Sequence, residues 1–344
     1  MKKKTNKPTL RTVAEACGVR PATVSRVLNK VDNNFSVKPE TRDLILKTAL
    51  DMAYIPNTAA RSLRRRRFDL VLIFGYDLPN FLPAATYGDM LGALVQRLNA
   101  DGYQVNMTFP PPAGRKTAPL SCDGAVFIDT GDSELIDDFR RHAMPMLILN
   151  DRIEDCSWVA VDDTDGMRRL LAQLAAAGHR RIAYRCANKI HRLQSHQSIS
   201  DRYQTYQEWA RTHEMKMVTD YDQSMSNHEF IDAVQETGCT AVATYDEKLA
   251  MSFYQSCLER NLGIPEDLSL VAFDKPVNYD LMPKITAMWQ PAEQMGEAAA
   301  EILLRQIKGR SSGPEQMVMK LNLHEGASIA PPPLPDGARL MEMA

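Results

Sequence analysis

Three polar side chains near the N-terminus have the types and spacing needed for a specific chemistry. Thr23, Ser25 and Arg26 offer hydroxyl and guanidinium donors within four residues. Such donors bind phosphate oxygens and base edges in DNA. An arginine can donate two hydrogen bonds to one guanine, which is worth about 1–3 kcal/mol of discrimination between bases. The three residues are therefore candidate DNA contacts, provided that one surface presents them together.

Two short helices around a tight turn are predicted to position these side chains. The first runs over residues 10–17 with Thr9 as its N-cap, Gly18 supplies the left-handed backbone that ends it, and the second starts near Pro21. The apolar residues that can face one small core are Val13, Ala14, Cys17, Val19, Val24, Val27 and Leu28. This pattern predicts a helix-turn-helix in which Thr23, Ser25 and Arg26 face a DNA groove; an ordinary helical hairpin is the alternative.

A third helix and a basic linker follow. Apolar residues repeat at helical spacing within residues 39–54, which predicts a helix packed across the first two. Residues 58–63 are too short for two helical turns and precede four consecutive arginines at 64–67. Because so short a helix is mostly unformed alone in water, this segment is predicted to become ordered only when something holds it.

Charge divides the sequence into two regions. Residues 1–67 contain 16 Lys and Arg against 5 Asp and Glu, whereas the remainder of the 344 residues contains 25 basic and 38 acidic residues. A basic head on an acidic body indicates that the head alone binds a polyanion. A basic, solvated tail is the alternative, although the helical periodicity and caps favour a folded head.

Cysteine usage and hydropathy bear on the compartment. The six cysteines are scattered without metal-type clustering, as is typical of buried thiols in a reducing cytosol. No apolar run approaches membrane-spanning length, and no apolar segment follows the Lys-rich start as a signal peptide requires. We therefore expect a cytoplasmic protein with no membrane partner.

From residue 68 onward, apolar runs alternate with amphipathic stretches. The predicted strands are residues 69–74, 104–109, 124–128, 146–149, 159–161, 181–184, 216–219, 241–244, 269–273 and 285–289. The predicted helices are residues 87–100, 133–142, 165–177, 201–212, 247–261 and 292–308. This alternation predicts an α/β fold with parallel sheets that helices cover on both faces. The strands are too many for one layer, so we expect two lobes with a ligand cleft at their strand ends.

The order of these parts resembles the lactose and galactose repressor (LacI/GalR) family. The resemblance covers about residues 9–330 and rests on several collinear motifs: TVSRVLN at 23–29, ETR at 40–42, YIPN at 54–57, ARSL at 60–63, GHRRIA at 178–183, IPEDLSLVAFD at 264–274, and QP and QMG at 290–291 and 294–296. It implies a dimer with an all-α DNA-binding head, a hinge helix and a two-lobed core like a periplasmic sugar-binding protein.

The resemblance also implies domain boundaries. They are a helix-turn-helix domain at 1–55, a hinge helix and basic linker at 56–67, a core at 68–330 and an extended tail at 331–344. Within the core, lobe 1 covers about 68–163 and 292–318, and lobe 2 covers about 164–290 and 319–330. The tail lacks an apolar heptad, so it gives no sign of a tetramerising coiled coil.

The DNA contacts that the resemblance implies lie in the head and the hinge. Pro21, Ala22 and Arg26 occupy the positions that select the operator sequence, and Leu63 matches a hinge leucine that unstacks a base step from the minor groove. Arg20 stands where the family more often has a capping serine. The full predicted set is Thr9, Arg20, Pro21, Ala22, Thr23, Ser25, Arg26, Asn29, Asn57, Ala60, Arg61, Leu63 and Arg64.

The effector site that the resemblance implies departs from the family pattern. Tyr245 replaces a usual Asn, and Lys275 replaces a second Asp that commonly follows Asp274. Arg202 fits the arginine that binds effector oxygens, and with Lys275 and Arg192 it favours an anion such as a sugar phosphate or sugar acid. The predicted effector-binding residues are Leu78, Asn80, Phe81, Asn150, Arg202, Tyr245, Asp274 and Lys275.

These inferences predict a transcriptional regulator of the repressor type. It binds a palindromic operator as a homodimer, and a small sugar-like effector, which includes a phosphorylated or acidic sugar, controls its affinity. Alternatives are a regulator whose cleft no longer binds an effector, a sugar-binding protein without a regulatory role, and a nonspecific DNA binder. No Gly-rich phosphate loop, nucleophile elbow or metal-spaced cluster stands out, so we expect no enzyme, cofactor or metal.

Overall fold

A computed structural model of the chain describes residues 8–28, 37–55, 67–75, 85–108, 121–129, 133–186, 196–215, 217–219, 225–275 and 284–333. The chain divides into two compact units, residues 1–68 and 69–344. The predicted hinge falls outside the described residues, as do Leu78, Asn80 and Phe81 of the predicted effector site.

Within residues 8–28, 37–55 and 67–68, the described part of the first unit, three helices surround one small core. They are α1 (Leu10–Ala16), α2 (Pro21–Leu28) and α3 (Pro39–Asp51). Thr9 caps α1 in a capping box, because its hydroxyl accepts from the Thr12 N–H at 3.2 Å and its own N–H donates to Thr12 Oγ1 at 2.8 Å. Gly18 has φ +67°. The predicted caps and turn are confirmed, and the buried core consists of Val13, Ala14, Cys17, Val24, Val27, Ile45 and Ala49.

The second unit contains two six-stranded sheets. The strands are β1 (Leu70–Gly75), β2 (Gln104–Thr108), β3 (Gly124–Ile128), β4 (Met146–Leu149), β5 (Trp158–Val161), β6 (Ile182–Arg185), β7 (Val218–Thr219), β8 (Ala241–Thr244), β9 (Ser269–Phe273), β10 (Thr286–Trp289), β11 (Gln316–Met319) and β12 (Asn322–His324). The first sheet has the order β11-β5-β4-β3-β1-β2 and defines the first lobe. The second has the order β12-β10-β9-β8-β6-β7 and defines the second lobe.

Helices pack against both sheets. They are α4 (Ala85–Ala100), α5 (Ser133–Arg141), α6 (Asp163–Ala176), α7 (Gln197–Thr212), α8 (Asn227–Glu236), α9 (Glu247–Glu259) and α10 (Ala292–Ile307). Central strands such as β3, β4, β8 and β9 are buried along their whole length, as parallel strands covered on both faces must be. Among the described helices, none combines the length and apolar composition that a membrane span requires.

Three elements differ from the prediction. The structure adds α8, β11 and β12. β12 pairs with β10 antiparallel, whereas the other strand pairs of the described residues are parallel, as predicted. The edge strand β11 is largely exposed, and β12 has only three residues, so neither produces a buried apolar run. The start of α8 is a capping box of Ser226 and Glu229, a signal that was readable in the sequence.

Strand register places polar residues at neighbouring strand ends. In the first sheet Ile128 pairs with Leu149, so Asp129 and Asn150 leave adjacent strands together. In the second sheet β8 lies between β6 and β9, so Tyr245 and Asp274 leave their strands at the same edge. This edge of a parallel sheet is where ligands bind in α/β folds.

The crossing of α4 and α10 in the first lobe requires a residue without a side chain. A Cβ built on Gly296 would collide with the Met90 carbonyl oxygen and lie 2.9 Å from Leu94 N. Because both neighbours are backbone atoms, we expect Gly296→Ala to lower the free energy of unfolding by about 1–3 kcal/mol, measured by urea denaturation.

The matched control is Gly92→Ala on α4, where an added Cβ meets nothing within 4 Å. Alanine there should raise the free energy of unfolding by about 0.5–1 kcal/mol, because glycine is the poorer helix former. Equal effects of the two substitutions would contradict the collision.

Candidate functional site

Helix α2 presents its predicted DNA-contacting residues on one side. Val24 and Val27 are buried in the core of the head, whereas Pro21, Ala22 and Arg26 are exposed. Thr23 and Ser25 are half-buried, and Thr9 is exposed next to the start of α1. The described part of the head thus offers a surface that combines apolar and cationic groups, as a major-groove reader requires. Asn29, Asn57, Ala60, Arg61, Leu63 and Arg64 lie outside the described residues.

Arg20 precedes α2 without capping it. Its carbonyl oxygen accepts from the N–H groups of Thr23 and Val24 at 2.9 and 3.3 Å, and its side chain is exposed. A serine at this position can accept from a first-turn N–H with its hydroxyl, which an arginine cannot do. The arginine therefore lowers the free energy of unfolding of the head. A DNA contact by its side chain would compensate for this loss in the operator complex.

We expect Arg20→Ser to raise the free energy of unfolding by about 1 kcal/mol and to weaken operator binding. Urea denaturation and a DNA-binding titration measure the two quantities. Arg20→Ala is the control, because it removes the charge without adding a cap and should weaken binding without raising stability. An unchanged operator affinity in both variants would contradict a DNA contact by Arg20.

Arg202 on α7 lies at the centre of the polar site in the second unit. Its side chain is only 2% exposed, and its Nε and Nη2 both lie 2.7 Å from Asp163 Oδ1. Nη1 donates to the Tyr245 carbonyl oxygen at 2.5 Å, and Cζ lies 3.7 Å from the ring centroid of Phe273. Burial lowers the pKa of Arg202, but the interactions with Asp163, Tyr245 and Asp274 together outweigh burial and raise the pKa overall. The guanidinium is therefore charged and held in one orientation.

Asn150 connects two further polar groups of the first lobe. Its amide donates to the Tyr87 hydroxyl at 3.1 Å and to Asp129 Oδ1 at 2.9 Å. Asn150 and Asp129 have positive φ values of 65° and 48°, a conformation that Asn and Asp tolerate better than most residues. Burial and the Asp129 charge raise the pKa of Tyr87, so Tyr87 remains a neutral hydroxyl.

Asp274 and Lys275 leave β9 at the same edge. Asp274 has φ +69°, and its Oδ1 accepts from Gln290 Nε2 at 3.1 Å. Lys275 Nζ lies 3.1 Å from Asp89 Oδ2 of α4 in the first lobe. Burial and the charge of Asp274 raise the pKa of the Glu247 carboxyl. Burial also raises the pKa of Asp274, although the Arg202 charge opposes this effect. This edge is therefore rich in carboxylates, and its lysine is already paired.

A chain of polar contacts links Tyr245 to the first lobe. The Tyr245 hydroxyl lies 2.7 Å from Ser198 Oγ, which in turn lies 2.7 Å from His196 Nδ1. His196 Nε2 lies 3.4 Å from Asp129 Oδ1. The strand ends of both lobes therefore meet in one polar network.

The structure brings together Asn150, Arg202 and Tyr245 of the predicted effector site, with Asp274 and Lys275 at the same strand edge. Sequence reasoning missed the partners Tyr87, Asp129, Asp163, His196 and Ser198. Asp129 was detectable, because it directly follows a buried strand as Asn150 does. Asp163 is 39 residues from Arg202 and carries no local signal of that pairing. Among the described residues, no group of three or more His, Cys, Asp or Glu is arranged to hold a metal.

Comparisons with known proteins identify the family. The profile of the family described as "Bacterial regulatory proteins, lacI family" matches residues 9–57, and that of a "Periplasmic binding protein-like domain" matches residues 171–329. The HTH-type transcriptional regulator CelR of Thermobifida fusca is 25% identical over 343 residues, which cover 92% of this chain and 97% of CelR.

Two solved structures share the fold. The lac repressor dimer bound to operator and the anti-inducer ONPF superposes with a TM-score of 0.75 at 19% identity, covering 94% of this chain and 100% of that chain. A CelR–cellobiose complex superposes with a TM-score of 0.65 at 23% identity, covering 93% of this chain and 99% of that chain. The chain belongs to the LacI/GalR family, and it is a DNA-binding transcriptional regulator.

Proposed function

We propose that this regulator is a cytoplasmic repressor that binds a near-palindromic operator as a homodimer, with its affinity set by a sugar-like effector between the lobes. The observation that carries the effector site is the polar network in which Arg202 and Tyr245 of one lobe reach Asp129 and Asn150 of the other. A ligand that inserts among these groups changes how the lobes contact each other. Such a change can alter the spacing of two DNA-binding heads in a dimer. This role is binding and not catalysis.

The charges favour a neutral, hydroxyl-rich effector over the anion that the sequence favoured. Arg202 is paired with Asp163 and Lys275 with Asp89, so two of the three cations that favoured an anion already have acidic partners; Arg192 lies outside the described residues. The carboxyl groups at the same edge form hydrogen bonds with hydroxyl groups, and those that are ionised repel phosphate. The neutral disaccharide in the CelR–cellobiose complex is consistent with this chemistry.

Selection of bound sequences from random DNA tests the operator proposal. It should return a near-palindrome, and affinity for that sequence should exceed affinity for random DNA at every salt concentration. Equal affinities across salt concentrations would instead identify a nonspecific DNA binder.

Titration calorimetry with matched neutral and phosphorylated saccharides tests the effector class. Neutral forms should bind more tightly, and the one that binds should change operator affinity. Tighter binding of the phosphorylated forms would contradict the neutral class.

A second candidate is a regulator whose cleft no longer binds an effector. Asn150 and Arg202 both form hydrogen bonds to other residues of the protein. These bonds favour a cleft without effector binding, because an effector would have to displace them. It is the conclusion to draw if no saccharide binds to the intact chain while operator binding is specific.

A further inference from the structure

His196 has no place in the predicted site, yet it connects the two lobes. It precedes α7 in the second lobe, and its Nε2 lies 3.4 Å from Asp129 Oδ1 at the end of β3 in the first lobe. Their side chains are only 7% and 2% exposed. A buried ion pair of this kind is costly to break from one side, because the remaining charge stays unpaired in a poorly solvated site.

Other contacts across the lobes surround this pair. The Gln197 N–H, one residue along the chain, donates to Asp151 Oδ1 at 3.4 Å. Arg152 Nη1 lies 3.4 Å from Asp201 Oδ2 on α7. The first turns of α7 are thus attached to the ends of β3 and β4, and His196 is the member of this interface that can gain or lose a proton near neutral pH.

We propose that His196 is a positioning residue that acts as a proton-dependent latch, which holds the lobes together across the cleft when its imidazole is protonated. The inference rests on the proposed function, because it assigns a regulatory role to the same interlobe site.

The hydrogen bonds of the imidazole support two arrangements. When the ring is protonated, Nδ1–H donates to Ser198 Oγ at 2.7 Å and Nε2–H faces the Asp129 carboxylate. When the ring is neutral with its proton on Nε2, Nδ1 accepts from the Ser198 N–H at 3.2 Å and caps α7. Loss of the Nδ1 proton therefore removes the positive charge that faces Asp129 and adds a local helix cap, so the contact between the lobes weakens to that of a neutral donor with a carboxylate.

The charged groups that face His196 favour the protonated arrangement. They are Asp129 after β3, Asp151 after β4 and Asp163 at the start of α6. Burial lowers the pKa of His196, but hydrogen bonding to Asp129 and these three charges outweigh burial and raise it to about 9. Once the lobes separate, the imidazole should return to its ordinary pKa of about 6.5.

The sign of the pH dependence follows from this difference. Closure binds a proton at any pH between the two pKa values, so the latch is fully effective below about pH 6.5. Its contribution is lost progressively as the pH rises through about 9. The latch therefore favours the closed cleft at neutral pH and releases it in alkaline solution.

The latch also reaches the effector arginine. Ser198 Oγ contacts the Tyr245 hydroxyl at 2.7 Å, and the carbonyl oxygen of Tyr245 accepts from Arg202 Nη1 at 2.5 Å. His196 therefore acts on Arg202 through Tyr245 without contacting it.

Histidine NMR titration of the full chain tests the protonation of His196 directly. The His196 resonance, assigned by its loss in His196→Gln, should titrate near pH 9 in the wild type. In Asp129→Asn it should titrate at least about 1 pH unit lower, because the largest favourable interaction is removed. A His196 that titrates at or below about 6.5 in the wild type overturns the proposal.

Small-angle scattering of the same samples tests the latch. The radius of gyration of the wild type should increase between pH 7 and pH 10, whereas that of His196→Gln should be the larger value throughout. His228→Gln is the matched control, because His228 Nε2 lies 3.3 Å from Glu259 Oε2 in an exposed pair, and it should behave as the wild type. An equal pH response in His196→Gln and the wild type overturns the proposal. Neither experiment uses DNA or effector, so its failure is separate from failure of the proposed function.

Discussion

Replacing Asp163 with alanine should lower the free energy of unfolding by about 3–5 kcal/mol, because it leaves the Arg202 guanidinium buried without its counter-ion. Two guanidinium nitrogens lie 2.7 Å from one Asp163 oxygen. The Tyr245 carbonyl is a neutral acceptor and cannot balance the charge. Urea denaturation of the purified chain measures the loss.

Asp165→Ala is the matched control on the same helix. Its carboxylate lies 3.6 Å from Arg169, but both side chains are 39% exposed, and exposed pairs contribute about 0–1 kcal/mol. The double substitution Asp163→Leu with Arg202→Met should cost less than Asp163→Ala alone, because no buried charge remains. If Asp163→Ala were as stable as Asp165→Ala, Arg202 would have to form another ion pair or be hydrated, which would contradict the prediction.

Replacing Arg26 with alanine should reduce affinity for the selected operator about 10- to 100-fold, the loss expected for one bidentate contact to guanine. Discrimination at a single base pair of each half-site should relax at the same time. Gel-shift titrations at fixed salt on the operator and on single-base variants measure both effects.

Arg11→Ala is the control for Arg26, because Arg11 is also an exposed arginine of the head and forms an i,i+4 pair with Glu15. It should leave base discrimination unchanged. An equal loss of affinity on all sequences for Arg26→Ala, with a smaller salt dependence, would assign Arg26 to a phosphate instead.

The sequence predicted the core strands well because their burial is uniform. The predicted bounds of β3, β4, β8 and β9 match the structure, since a continuous apolar run ends where the strand leaves the sheet. β11 is exposed along most of its length and forms a strand because β5 offers an unpaired edge. Such pairing depends on tertiary structure and leaves no periodic signal.

The site was predictable in its positions and less so in its contacts. Asn150, Tyr245 and Asp274 follow predicted strands, so the fold class alone places Asn150 at the strand ends of one sheet and Tyr245 and Asp274 at those of the other. The choice of Asp163 as the partner of Arg202 depends on how α6 and α7 pack. The effector charge was mispredicted for the same reason. Lys275 favoured an anionic effector in the sequence, but its pairing with Asp89 of the other lobe depends on tertiary structure.

Neither lobe is built from one continuous stretch of the chain, and this determines when each lobe can finish folding during translation. The last strands, β11 and β12, complete opposite sheets, one beside β5 and one beside β10. Until residues 316–324 emerge, the apolar strands β5 and β10, which are largely buried in the finished sheets, form the edges instead, and exposed apolar edges promote wrong association between chains. A nascent chain therefore closes both lobes almost simultaneously and late. A premature stop before residue 316 damages both sheets instead of sparing the first.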